Sequence, residues 1–190
     1  MNLHHDRIQL LAPMLQPKVE AFLDRSQKAG YQILVVRTWE SADAQWLKYQ
    51  QGRELDRATG EWDITDGAKV VTNARPDQSG HTLVDLLTGA PASMAIDIIP
   101  LDLHGQPLWG LPNETAKQLD ARWQQATGRS KQAGWGQLYQ ISSKCGLDAY
   151  GDDWGAVLKW DEGHLEEPAY KLIVKELGLM WPAWPGSAAV

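Results

Sequence analysis

The chain has 190 residues, 43% of them hydrophobic and 22% charged, which is a composition typical of a folded globular protein. Its net charge of −6 argues against a broad basic surface, so we expect no nucleic-acid partner. Cys145 is the single cysteine, which excludes an intrachain disulfide and the usual cysteine-based zinc spacings.

Length and hydropathy lead to further expectations about organisation. We expect one domain over residues 1–190 that acts as a monomer, because the chain contains no linker and no internal repeat. No apolar run approaches the length of a membrane span, so we expect no membrane insertion. The first residues lack a basic segment followed by an apolar one, and we therefore expect synthesis in the cytoplasm without a signal peptide.

In chain order, apolar periodicity and turn residues predict helices separated by short strands. The predicted helices cover 17–29, 41–51, 114–127, 136–144 and 168–177. The predicted strands cover 31–37, 70–72, 94–99 and 157–160, with a long polar loop over 53–69 and an irregular tail over 181–185. This order predicts an α+β fold, in which helices flank a small, mostly antiparallel sheet.

Three side chains stand out as candidate metal ligands. His81 follows a turn-forming stretch, and Asp97 lies within an apolar strand, where an unpaired carboxylate is unfavourable. Two imidazoles and a carboxylate form the ligand set of an open zinc site, so His81, Asp97 and His164 are candidates for one centre. The alternative partner for Asp97 is an arginine, either Arg37 or Arg75.

Other polar residues accompany these candidates. Asp161 lies three residues before His164 and could handle the protons of a metal-acidified water. Glu166 lies two residues after His164, shares its face of a strand and could hold its ring in place. Ser79 adds a hydroxyl to the tight turn before His81.

Seven short motifs carry a family resemblance. They are VVRT at 35–38, QWLKYQQGR at 45–53, VTNA at 71–74, SGH at 79–81, AID at 95–97, GDDW at 151–154 and DEGHLE at 161–166. In this order they resemble the zinc peptidases of the D-alanyl-D-alanine carboxypeptidase and L-alanyl-D-glutamate endopeptidase family, which includes phage endolysins. The resemblance covers about residues 32–166, and the shared order makes chance agreement of short motifs improbable.

The resemblance implies a zinc centre in a cleft on the sheet. His81, Asp97 and His164 would bind one Zn²⁺ ion, Asp161 would be the general base, and Arg37 would stabilise the oxyanion.

Three more residues, Ser79, Glu166 and Gln45, would support the ligands or bind substrate.

One departure from the family pattern affects the aspartate. The family has six residues between its first histidine and its aspartate, with a glycine before the A-x-D motif. Here the interval covers 82–96, and Ser93 stands in place of that glycine, which indicates an insertion at about 82–91 on the rim of the cleft. Asp85 lies closer to His81 and is the alternative ligand, although Asp97 keeps the strand context.

The implied substrate is the stem peptide of peptidoglycan. A chain without a signal peptide favours an L-alanyl-D-glutamate endopeptidase that reaches the wall after release by another factor, with D-alanyl-D-alanine carboxypeptidase as the alternative. The ten Trp residues also leave open a non-catalytic wall-binding module with a structural zinc.

Overall fold

A computed structural model gives the structure of this protein and describes residues 5–108, 116–127, 134–149, 164–167 and 170–184. The helices are α1 (His5–Ile8), α2 (Gln16–Lys28), α3 (Ala42–Gln50), α4 (Ala116–Thr127), α5 (Trp135–Ser143) and α6 (Tyr170–Ile173). The strands are β1 (Ile33–Arg37), β2 (Arg53–Leu55), β3 (Trp62–Ile64), β4 (Val84–Asp85), β5 (Ala95–Pro100), β6 (Asp148–Ala149), β7 (His164–Glu166) and β8 (Leu179–Met180). Three short 3-10 helices cover Gly67–Lys69, Pro76–Gln78 and Gly80–Thr82.

The predicted α+β class is confirmed. The main sheet has four antiparallel strands in the order β1-β5-β7-β6, so strands from distant parts of the chain lie side by side. Helices α2 and α3 agree with the predicted helices, and Ser41 caps α3 by accepting a hydrogen bond from the Ala44 N–H at 3.2 Å. None of the described helices combines the length and apolar character that a membrane crossing needs.

One face of this sheet packs on the main hydrophobic core. Ile96 and Ile98 of β5 and Val35 of β1 are buried there against Phe22 of α2. Because side chains alternate along a strand, Asp97 points away from this core, to the opposite face. The alternation that buries the isoleucines therefore also places the Asp97 carboxylate where polar partners can reach it.

A β-bulge changes the direction of Arg37. Val35 lies opposite Ile98, yet Arg37 lies opposite Asp97, so two residues of β1 stand against one residue of β5. In a regular strand Arg37 would share the core face with Val35, two residues earlier. The bulge turns Arg37 to the same face as Asp97, so the site depends on a local irregularity of β1.

The polar region that follows α3 differs from the prediction. Residues 53–69 contain the antiparallel hairpin β2–β3, in which Leu55 pairs with Trp62, in place of the predicted loop. Gly52 permits the turn into this hairpin: its φ is +74°, and a Cβ there would lie 2.3 Å from the Asp66 carbonyl oxygen. The predicted strand at 70–72 is wrong: this segment is irregular, and the Thr72 carbonyl oxygen accepts a hydrogen bond from the Arg53 guanidinium.

Several tryptophans also pack around α3. Trp46 is buried, and its ring contacts Tyr49, Trp62 and Trp184, with ring-centroid distances of 5.6, 5.3 and 4.6 Å. Trp123 is buried in the main core. Among the described residues, some tryptophans thus fill the core and others form an aromatic cluster.

A second, smaller core joins the C-terminal segment to the 82–91 segment. Leu83, Met94, Tyr170 and Leu179 are buried together, and β4 pairs with β8. The predicted helix over 168–177 is shorter than expected, because turns follow α6 within the described residues 170–177. The predicted strand over 157–160 lies outside the described residues.

Candidate metal centre

The sheet places three of the predicted site residues in one row. Arg37 on β1 lies opposite Asp97 on β5, and Asp97 lies opposite His164 on β7. Directly opposed residues of antiparallel strands project to the same face, so the three side chains are neighbours across the sheet. Strand pairing alone therefore brings together residues that are far apart in the chain.

His81 reaches this row from a loop. It lies in the 3-10 helix Gly80–Thr82, where the Ser79 hydroxyl accepts a hydrogen bond from the His81 backbone N–H at 3.3 Å. Gly80 allows close packing, because a Cβ there would lie 3.0 Å from the Ala95 Cβ and 3.2 Å from the Tyr170 ring, so that a neighbour would have to shift. The residue types of this turn thus bring the His81 backbone close to β5.

The three candidate ligand atoms form a compact triangle. His81 Nε2 lies 3.1 Å from Asp97 Oδ1 and 3.2 Å from His164 Nδ1, and the third side, from Asp97 Oδ1 to His164 Nδ1, is 2.9 Å. Tetrahedral zinc with ligands at about 2.0–2.1 Å holds them roughly 3.3 Å apart. His81, Asp97 and His164 could therefore hold a metal ion, and both histidines are buried.

The hydrogen bonds behind the imidazoles determine which nitrogens face the triangle. His81 Nδ1 lies 2.5 Å from the Thr38 carbonyl oxygen, which can only accept, so the proton of a neutral His81 ring is on Nδ1. His164 Nε2 lies 3.3 Å from the Glu166 carboxylate and donates to it in the same way. With both rings neutral, two nitrogen lone pairs and a carboxylate oxygen converge, an arrangement that a cation stabilises.

Asp97 is charged in this environment. Burial raises the pKa of the Asp97 carboxyl, but His81 and His164 outweigh burial when they donate protons and positive charge toward it, and they hold that pKa well below its ordinary value. A bound cation would take the place of those protons. An ionised carboxylate is the form that binds a divalent cation.

Arg37 contacts the carboxylate from the other side. Its Nε donates to Asp97 Oδ2, and its Nη1 donates to Glu40 Oε1 at 2.9 Å. Asp97 is thus both a member of the ligand triangle and the partner of Arg37, so the two alternatives left open by the sequence occur together. Arg75, the other candidate, pairs with Asp77.

Gln45 and Arg53 of the QWLKYQQGR motif clamp the VTNA segment. The Gln45 side-chain amide donates to the Ala74 carbonyl oxygen at 2.6 Å. Arg53 donates to the Thr72 carbonyl at 2.9 Å and to the Asn73 side-chain oxygen at 2.7 Å. Gln45 therefore holds the segment that leads to His81 and is not a member of the ligand triangle.

Asp85, the alternative ligand, has a different role. It is half-buried, and its Oδ1 accepts hydrogen bonds from the Leu87 and Thr88 backbone N–H groups at 3.1 and 2.8 Å. Asp85 thus closes a local turn. Among the described residues, the group that could hold a metal ion contains Asp97. The 82–91 segment packs through β4 on β8 of the C-terminal segment.

Two aromatic residues that the sequence did not indicate support the His81 turn. The Tyr170 hydroxyl donates to the Gln78 carbonyl at 3.2 Å, and Trp181 Nε1 donates to the Ser79 carbonyl at 3.2 Å. Trp181 belongs to the segment that we predicted as an irregular tail. In the sequence, only the abundance of Trp indicated that this region has a structural or binding role, and it did not show that Trp181 contacts Ser79.

Asp161, the predicted general base, and the GDDW motif at 151–154 lie outside the described residues. The described part of the site thus consists of the ligand triangle, Arg37, Glu40 and Glu166. Comparison of the chain with models of known protein families and with curated proteins finds no match, so the family resemblance depends on the motifs themselves.

Proposed function

We propose that this chain is a zinc-dependent peptidase that hydrolyses an amide bond in peptidoglycan stem peptides, most simply as an L-alanyl-D-glutamate endopeptidase. The observation that carries the proposal is the buried triangle of His81, Asp97 and His164. The order of the seven motifs supplies the substrate class. The chain would reach its substrate after another factor gives it access to the wall.

The ligand chemistry favours zinc. Two imidazole nitrogens and one carboxylate oxygen are a set that zinc enzymes use, and three protein ligands are typical of catalytic rather than structural zinc. Among the described residues, three side chains could bind the ion: His81, Asp97 and His164. A bound zinc ion would act as a Lewis acid and lower the pKa of water to about 7.

The surrounding residues have separable tasks. Thr38 and Glu166 orient the two imidazoles through the hydrogen bonds described above. Arg37 puts a positive charge next to Asp97, where it can stabilise negative charge that develops on the scissile carbonyl oxygen. By the motif resemblance, Asp161 takes a proton from the attacking water and passes it to the leaving amine.

Digestion of purified peptidoglycan tests this proposal. We expect peptide fragments with a new D-glutamate amino terminus, identified by mass spectrometry, whereas release of free D-alanine would indicate the carboxypeptidase. A chelator should stop the release, added Zn²⁺ should restore it, and His81→Ala should be inactive. Fragment release that is unchanged by the chelator or by His81→Ala would overturn the zinc peptidase.

A wall-binding protein with a structural zinc is the second candidate. The half-buried rings of Trp62 and Trp184, which pack on the buried Trp46, favour it, because they provide apolar faces for sugars. Sedimentation with insoluble peptidoglycan separates the two functions. Binding without any fragment release would favour this second candidate over the peptidase.

A further inference from the structure

We propose that Glu40 is a positioning residue of the metal centre, which holds Arg37 against Asp97 so that Asp97 offers one oxygen to the ion. This inference rests on the proposed metal site and deepens it. Glu40 belongs to none of the motifs that carry the family resemblance.

The two carboxylate oxygens of Asp97 have different partners. Oδ1 belongs to the ligand triangle, 3.1 Å from His81 Nε2 and 2.9 Å from His164 Nδ1. Oδ2 accepts a hydrogen bond from Arg37 Nε. A carboxylate can bind a metal through one or both oxygens. The guanidinium on Oδ2 therefore selects binding through Oδ1 alone.

Glu40 holds the guanidinium of Arg37 in this position. Arg37 has a long side chain that is 25% exposed, and Glu40 Oε1 accepts from its Nη1 at 2.9 Å. The other oxygen of Glu40 pairs with Lys48. The Glu40 side chain is only 10% exposed, so solvent screens these charges less than it screens a surface pair. Asp97, Arg37, Glu40 and Lys48 thus form a chain of alternating charges.

The backbone of Glu40 also contacts the centre. Its N–H donates to the His81 carbonyl oxygen at 3.1 Å. Glu40 therefore contacts two parts of the centre: the His81 turn through its backbone, and the Arg37–Asp97 pair through its carboxylate. A substitution at position 40 keeps the backbone contact and removes the side-chain contact, which makes the side-chain role testable by itself.

The test uses the full-length, metal-stripped protein with Zn²⁺ and Co²⁺ as probes. Zn²⁺ affinity is measured by competition with a chromophoric chelator, and the Co²⁺ visible absorption reports the coordination number. The variants are Glu40→Ala and Glu40→Met, where Met keeps the volume without an acceptor. Glu40→Gln keeps an oxygen acceptor for Arg37, and Glu61→Ala removes an exposed carboxylate as the matched control.

We expect Glu40→Ala and Glu40→Met to bind Zn²⁺ about ten-fold more weakly, as is typical when a partner of a metal ligand is lost. The visible absorption of bound Co²⁺ should become weaker in these variants, as expected for a higher coordination number, because the second Asp97 oxygen becomes available to the ion. Glu40→Gln should recover most of the affinity, and Glu61→Ala should match the wild type. A second arm combines Glu40→Ala with Arg37→Ala, and we expect no further loss beyond that of Arg37→Ala alone.

A folded Glu40→Ala or Glu40→Met protein with wild-type affinity and a wild-type Co²⁺ spectrum would overturn the inference, while leaving the metal site intact. Additive losses in the double variant would overturn it as well, because Glu40 would then act independently of Arg37. Failure of the wild type to bind either ion would instead refute the proposed metal site itself. Thermal unfolding of each metal-free variant identifies the variants that fold.

Discussion

Asp97 and His164 lie directly opposite each other in the β5–β7 pair, with Asp97 Oδ1 2.9 Å from His164 Nδ1. The strand register thus determines the distance between two candidate ligands that are 67 residues apart in the chain. The third, His81, joins them from a turn that other elements hold in place. Predictions about the site can therefore be made separately for the ligands, the turn, and the residues that support them.

The first prediction distinguishes the two aspartates that the sequence offered as ligands. Asp97→Asn should weaken Zn²⁺ binding by about 100-fold or more, because a neutral amide oxygen is a poorer ligand than a carboxylate. Asp85→Asn is the matched control and should bind Zn²⁺ like the wild type. Competition with a chelator measures both. Equal losses in the two variants would contradict the assignment of Asp97.

The second prediction concerns the turn that carries His81. Gly80→Ala should lower the free energy of unfolding by about 1–3 kcal/mol, because its Cβ would press on Ala95 and Tyr170. Gly67→Ala is the control, since a Cβ at Gly67 meets nothing within 4 Å. Denaturant unfolding of the metal-free proteins measures the change. A fully stable Gly80→Ala protein would show that the turn can move away from β5.

The third prediction concerns the residue behind His164. Glu166→Gln should lower Zn²⁺ affinity about 10-fold, because loss of the carboxylate weakens the hydrogen bond that orients the His164 ring. Glu176→Gln makes the same chemical change at an exposed position and should have no effect. Chelator competition is again the measurement. An unchanged affinity in Glu166→Gln would mean that the sheet alone orients His164.

The fourth prediction concerns the clamp on the VTNA segment. Arg53→Lys should lower the free energy of unfolding by about 2–3 kcal/mol, because an ammonium group cannot reproduce the forked contacts to Thr72 and Asn73. Arg57→Lys, at an exposed position, should change it by less than about 0.5 kcal/mol. Thermal unfolding compares the two. Equal stabilities would show that the Arg53 contacts contribute little.

Local patterns predicted much of the fold. Helices α2 and α3 and strands β1 and β5 follow from apolar periodicity, capping residues and β-branched runs. The grouping of His81, Asp97 and His164 was also predicted, because an aspartate within an apolar strand requires a partner and the order of the motifs pointed to the two histidines. The helices and strands depend on residues that are close in sequence, which is why they can be identified before any tertiary contact is known.

Other features depend on contacts between distant segments. The bulge that turns Arg37 toward Asp97 has no signature in the run Ile33–Arg37, which reads as a regular strand. The hairpin β2–β3 lies in a polar stretch whose strands are only three residues long each. The hydrogen bonds from Tyr170 and Trp181 to the His81 turn join residues 92 and 102 apart, beyond the range of local patterns.

The three residues of the ligand triangle are far apart in the sequence, and this has a consequence for the stability and lifetime of the protein. An ion bound there would join positions separated by 16, 67 and 83 residues, and so would act as a cross-link in a protein whose single cysteine cannot supply one. Unfolding would then require dissociation of the ion, and the stabilisation would grow with free zinc concentration. Proteases would therefore degrade the chain faster where zinc is scarce, which would couple its lifetime to the metal supply.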